Sequence, residues 1–159
     1  MERIGEILRN KDFMTNLQKN MKAEADRIFC KHDKDHFMDV ARIAWILNIE
    51  GSLGYRKDLI YAAALLHDIG KWQQYLDSIP HSQSSAVLAK EILPQCSFDE
   101  NEINQIVEAI LYHSQNNAKD DSLRYILFKS DKLSRKCYIC PEFLECKWDN
   151  SFKNKEIEV

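Results

Sequence analysis

Glycine and proline are scarce in this chain, with four Gly and three Pro among 159 residues. So little punctuation predicts long elements joined by short connections. No apolar run approaches the roughly 20 residues that a bilayer crossing needs. The amino-terminal stretch MERIGEILRNKDF is charged throughout and has neither the apolar segment nor the small-residue cleavage site of a secretory signal. A cytoplasmic protein with no membrane partner is therefore expected. Positive charge is not in excess either: the formal net charge is -3. That excludes the class of constitutive nucleic-acid binders and leaves only local basic groups to meet a phosphate. The cysteines number five, an odd count without an export signal, which fits reduced thiols or a metal rather than a disulfide framework.

What is present is a globular composition, 45% hydrophobic and 30% charged. The length suits one domain, spanning 1–159, that buries its own core. Helical period dominates it. From Asp35 onward, His36, Val40, Ile43, Ala44 and Leu47 fall on one helical face, and Asn48 to Gly54 supplies a break. Asp58 to Ile69 is nearly all apolar, reading YAAALL in its middle, and an all-round apolar helix belongs at the centre of a bundle. Gly70 is expected to end it, with a short turn from Lys71 to Ile79 leading to Pro80. A further helix is predicted from His81 to Leu93. Ser97 or Asp99 then caps another, in which Ile103, Ile106, Val107 and Ile110 repeat up to His113. A polar loop, Ser114 to Asp120, separates it from a last helix, Asp121 to about Arg135, with Leu123, Ile126, Leu127 and Ser130 or Asp131 inward. Lys11 to Phe29 is helical in character and is expected to pack outside the central helices. No segment alternates as a strand would, so the fold class is all-α. The tail from Asn150 is polar and expected to fray.

Chemistry concentrates on histidine and aspartate. His67 and Asp68 stand side by side at the end of the most apolar helix, where a carboxylate needs a charge partner. A cation held by both side chains is one such arrangement, and a satisfied core histidine beside a helix-terminal Asp is the other. His36, His81 and His113 each lie near the end of a separate predicted helix, and Asp131 follows the small residue Ser130 on the last one. Facing helices of a bundle bring such ligands together from distant positions. His32 shares a helical face with His36, but the apolar repeat is in phase with His36, which is therefore preferred and leaves His32 outside the set.

These residues resemble the HD-domain superfamily. The resemblance is carried by His36 followed by VARIAWIL, by AALLHDIGK from Ala63 to Lys71, by His81 followed by SQSSA, by His113, and by Asp131 in LFKSDKLSR. It spans residues 36 to 135, or 100 of the 159 positions. It implies a helical bundle of at least five core helices, about 30–136, and a divalent metal held by His36, His67, Asp68 and Asp131. In related hydrolases two additional histidines bind a second ion, so His81 and His113 imply a two-metal site bridged by Asp68; positioning a phosphate or a water is their other role. Mixed nitrogen and oxygen ligation suits iron, manganese, cobalt, nickel or zinc, and in similar proteins the ion is commonly iron or manganese.

The reaction implied is hydrolysis of a phosphate ester or anhydride in a small molecule, a nucleotide above all, by metal-activated hydroxide. Asp68 is a candidate proton acceptor. Lys71 is the candidate catalytic and phosphate-binding lysine, with a solvated surface lysine as the bland alternative. Arg135 and Lys132 flank Asp131 and serve either a phosphate or the negative end of their helix. The histidine pattern is similar to that of enzymes splitting symmetrical dinucleoside tetraphosphates, but SQNN follows His113 here instead of the Thr and Gly residues typical of that group. A diiron oxygenase and a nucleotide-sensing module on the same scaffold are the rival functions. After the last core helix, Cys137, Cys140 and Cys146 form C-x2-C-x5-C in a C-terminal extension, 137–159. They read either as a zinc or iron–sulfur clamp, with Cys30 the nearest fourth thiol, or as reduced thiols in a compact turn covered by Trp148 and Phe143.

Overall fold

The computed structural model describes residues 1–115 and 122–159. All regular elements among them are helical. The α-helices are α1 (Glu2–Arg9), α2 (Lys11–Ala23), α3 (Lys34–Glu50), α4 (Lys57–Leu66), α5 (Lys71–Leu76), α6 (His81–Ile92), α7 (Glu100–Tyr112) and α8 (Leu123–Leu133), with short 3-10 turns at Leu93–Cys96, Cys137–Ile139 and Asn150–Phe152. No helix among the described residues is long and apolar enough to cross a membrane. Most of the expected polar loop after His113 lies outside the described residues, as does Asp121, the expected start of the last helix.

Helix α4 is the axis of the fold, as its all-round apolar sequence predicts. Every residue from Leu59 to Leu66 is buried, and each fully buried Leu or Ile stabilises the fold by about 1.5–3 kcal/mol. It packs most extensively on α3 and also touches α1, α6, α7 and α8. Side-chain caps fix where the surrounding helices begin. Asn10 accepts from the Asp12 and Phe13 amides at α2. Asp33 accepts from the His36 amide at 2.9 Å, so the cap of α3 also sets the first of the chemical side chains. Asp99, rather than Ser97, caps α7 in a reciprocal capping box with Glu102.

Three expectations need correction. The segment expected to be a turn from Lys71 to Ile79 begins with a helix, α5. The regular part of α4 ends at Leu66, so His67, Asp68, Ile69 and Gly70 form the corner between two helices. The helix expected to reach Phe29 stops at Ala23, and a separate α1 precedes it. Arg3 explains why α1 docks: its guanidinium pairs with Asp58 at the start of α4 and with Glu102 on α7, at 2.5 Å for the Nη1–Oε2 contact.

Candidate metal centre

The corner between α4 and α5 carries His67 and Asp68, and α2 holds that corner in place. Asn20 is fully buried; its Nδ2 donates to the Asp68 carbonyl at 2.8 Å, and its Oδ1 accepts from the Trp72 amide at 2.8 Å. Asn16 accepts from the Trp72 indole at 3.0 Å. On the other side, Gly70 meets α6 directly. The Gly70 amide donates to Ser85 Oγ and the Ser84 hydroxyl donates to the Gly70 carbonyl, both at 3.0 Å. A Cβ on Gly70 would stand 2.7 Å from the Ser85 nitrogen and 2.8 Å from the Ser84 carbonyl carbon, so only glycine allows this approach. That contact brings His81, the first residue of α6, toward the corner.

The side chains converge on two groups that share Asp68. His36, His67, Asp68 and Asp131 offer ligand atoms within 4.8 Å of one another, and so do Asp68, His81 and His113. The two Asp68 oxygens divide between them. Oδ2 faces His67 Nε2 at 3.5 Å, whereas Oδ1 faces His81 Nε2 at 3.5 Å and His113 Nε2 at 3.7 Å. Asp131 Oδ1 lies 3.6 Å from His36 Nε2 and 3.9 Å from His67 Nε2. Its other oxygen is paired with the Lys132 ammonium at 2.5 Å. Each ring is turned the same way. Nδ1 of His67 lies 2.7 Å from the Ala64 carbonyl and that of His113 lies 2.6 Å from the Ile110 carbonyl. Nδ1 of His81 faces Gln74 Oε1 at 2.7 Å. Nδ1 of His36 faces Ser134 Oγ at 3.3 Å, while the Ser134 hydroxyl donates to the Asp131 carbonyl. These partners accept, so Nδ1 carries the proton and Nε2 presents its lone pair inward, the arrangement of metal-bound histidine. His36 Nε2, His67 Nε2 and Asp68 Oδ1 are buried without a hydrogen-bond partner. Unpaired buried polar atoms are costly, and a divalent cation among them supplies what they lack; the donor set fits one.

Comparison with known proteins agrees with this geometry. Residues 33–136, about two thirds of the chain, match the family model "HD domain". The chain belongs to the HD domain family. It is 43% identical over 157 residues to an uncharacterized protein of Clostridium beijerinckii, covering 99% of both chains. Among solved structures it is similar to a predicted HD superfamily hydrolase from an uncultured Thermotogales bacterium, with a TM-score of 0.63 and 24% identity over 88% of this chain and 80% of that one. That likeness shows the shared HD fold.

Electrostatics in this HD domain keep most of the imidazoles ready for a cation. Burial lowers the pKa of His36 to about 4, with the neighbouring His67 adding to it. Burial likewise lowers His81 to about 4 against the pull of Asp68, and it lowers His113. These three are neutral at pH 7. His67 goes the other way: burial opposes its charged form, but the charges of Asp68 and Asp131 outweigh burial and raise it. Asp68 and Asp131 would be raised by burial and are instead held well below the usual carboxylate range, by His67, His32 and Lys71 for Asp68 and by His67 and Lys132 for Asp131. At 3.9 Å the His67–Asp131 contact is no hydrogen bond, so that attraction is one of charge.

The other expected site residues are distributed unevenly. Lys71 opens α5 directly after the corner, and its charge acts on both Asp68 and His81. The Arg135 guanidinium instead lies 4.4 Å from the centre of the Trp148 ring. All five cysteines are free thiols. Cys137, Cys140 and Cys146 belong to neither ligand group, although Cys137 and Cys140 lie near enough to Cys30 to help burial push that thiol up. The sequence sets His32 aside in favour of His36, and Glu24 was not foreseen. His32 Nε2 stands 3.4 Å from Asp68 Oδ2, and its Nδ1 lies 2.5 Å from Glu24 Oε1. Burial alone would raise Glu24; the His32 ring and amide, with the Tyr75 hydroxyl, hold it near 2. The one sequence signal was the four-residue spacing of His32 and His36.

Proposed function

We propose that this HD domain is a metal-dependent phosphohydrolase acting on a small phosphorylated molecule, a nucleotide being the class its histidine pattern favours. The observation that supports this best is the set of buried, unpartnered donors on His36, His67 and Asp68. In this reading one ion would be held by His36, His67, Asp68 and Asp131, and a second by Asp68, His81 and His113. Iron or manganese suits such mixed imidazole and carboxylate ligation. A bound divalent ion supplies Lewis acidity and brings the pKa of its water toward neutrality.

The chain's own residues do the rest. Asp68 serves both groups with separate oxygens, which fixes them relative to one another. It is also the carboxylate placed to take a proton from attacking water. Lys132 occupies the outer oxygen of Asp131 and so leaves Oδ1 turned toward His36 and His67. Two carboxylates against two divalent cations leave the centre positive, a match for an anionic phosphoryl group rather than a neutral substrate. Lys71 is the residue we assign to hold a substrate phosphate. Arg135, stacked on Trp148, receives no such role here.

The test is metal analysis of the protein purified anaerobically, followed by phosphate release from a nucleotide panel with the same sample. Metal-dependent release by the wild type and its loss in His67→Ala are expected. Oxygen consumption with a mixed-valent iron signal and no phosphate release would overturn the assignment in favour of an oxygenase. Tight nucleotide binding without turnover under any of the metals would overturn it in favour of a sensor.

A further inference from the structure

Four of the five histidines fall into the two ligand groups. His32 does not, yet it is held as they are. Its Nδ1 lies 2.5 Å from Glu24 Oε1, its main-chain amide donates to Glu24 Oε2 at 2.7 Å, and the Tyr75 hydroxyl donates to Oε1 at 2.6 Å. Glu24 is 2% exposed, so a buried carboxylate grips the residue by its ring and its backbone. A carboxylate accepts only, which keeps a ring proton on Nδ1 and leaves Nε2 to face the metal centre. That nitrogen faces Asp68 Oδ2 at 3.4 Å, and the ring packs edge-on against His36 with centroids 5.4 Å apart.

A nitrogen lone pair and a carboxylate oxygen repel at that distance unless a proton or a metal cation lies between them. Bonds of about 2.1 Å to a single ion bring two ligand atoms to a separation of about 3.0–3.5 Å. The five imidazoles also form one continuous series, His32 to His36, His36 to His67, His67 to His113 and His113 to His81, with centroids 5.2–5.4 Å apart at each step. His32 thus ends the series as His81 does at the other side.

Resting on the metal centre proposed above, we infer that His32 is a fifth imidazole ligand, binding through Nε2 a cation that it shares with Asp68 Oδ2. Because His32 belongs to neither compact group, the other positions on that ion are filled by water or by an oxygen of a phosphorylated substrate. Glu24 is the positioning residue that turns the ring, as carboxylates do behind metal-bound histidines.

The experiment is titration of the metal-free full chain with cobalt(II), read by calorimetry and by the visible d–d absorption that reports on cobalt ligands. The wild type, His32→Ala, Glu24→Gln and His67→Ala are compared. Expected are at least about tenfold weaker binding of one ion and an altered absorption band in His32→Ala, both reversed by free imidazole filling the vacated place. Glu24→Gln, which keeps the ring, is expected to weaken the same ion by about tenfold or more and serves if His32→Ala does not fold. Unchanged affinity and absorption in either variant would overturn the inference. If the wild type loads cobalt and His67→Ala does not, that failure leaves the metal centre standing; a wild type that takes up no cobalt overturns both.

Discussion

Replacing Asn20 with alanine removes the clamp that holds the His67–Asp68 corner from behind, while leaving the side chain of every proposed ligand in place. Two bonds are lost. The Trp72 amide, in the first turn of α5, loses the acceptor it has at 2.8 Å, while the Asp68 carbonyl keeps the Lys71 amide at 3.0 Å. One stranded backbone N–H costs about 1–3 kcal/mol, and the second bond contributes about 0.5–1.5 kcal/mol net. Because Asn20 is fully buried, the vacated space adds to the loss, and a total of about 2–5 kcal/mol is expected. Against a domain stability of about 5–15 kcal/mol this is large. Urea unfolding of the metal-free protein, followed by circular dichroism, measures it as a lower midpoint at constant slope. The same variant should bind manganese less tightly, since the Asp68 backbone is no longer fixed. A midpoint change equivalent to less than about 0.5 kcal/mol, the range of ordinary surface substitutions, would refute the reasoning.

Gly70→Ala sets a Cβ against the backbone of Ser84 and Ser85; a loss of about 1–3 kcal/mol is expected from overpacking, with weaker binding of the ion assigned to His81, and wild-type stability would contradict it. The metal-free protein should lose stability on acidification from pH 6.5 to about 4. His36 and His81 have folded values near 4 against 6.5 in the unfolded chain, so the unfolded state binds more protons in that window and stability is lost as the pH drops through it. Each contributes on the order of 3 kcal/mol, partly offset by the raised His67; a denaturation midpoint that is flat or rises on acidification would contradict this sign. Manganese at about 100 times its dissociation constant should stabilise the wild type by about 2.7 kcal/mol and His67→Ala by much less, measured as a shift in thermal midpoint, and equal shifts in both proteins would argue against His67 as a ligand.

Residues with a strong periodic or apolar setting were legible in the sequence. The unbroken apolar run of α4 announced a central helix, and that placed His67 and Asp68 in the interior before any coordinates. Spacing on α3 favoured His36 over His32, while helix position left Ser130 or Asp131 inward on the last helix and the resemblance to the HD superfamily pointed to Asp131. What stayed hidden depends on contacts between distant segments. Helix α5 has only six residues, too short to show a period, and it is held from α2 by Asn16 and Asn20. His32 was set aside because it is out of phase with the apolar face of α3; it lies before that helix begins, and Glu24, just past α2, aims it inward. Arg135 next to Asp131 invited a phosphate role, but Trp148 in the C-terminal extension holds its side chain.

The central claim is that cations sit on both sides of Asp68. Crystals grown with manganese and measured near its absorption edge locate such ions directly by anomalous scattering. Peaks beside Asp68 are expected in both places, one among His36, His67 and Asp131 and the other between His81 and His113. Ordered density for these side chains with no anomalous peak at either place, at saturating manganese, would contradict the account.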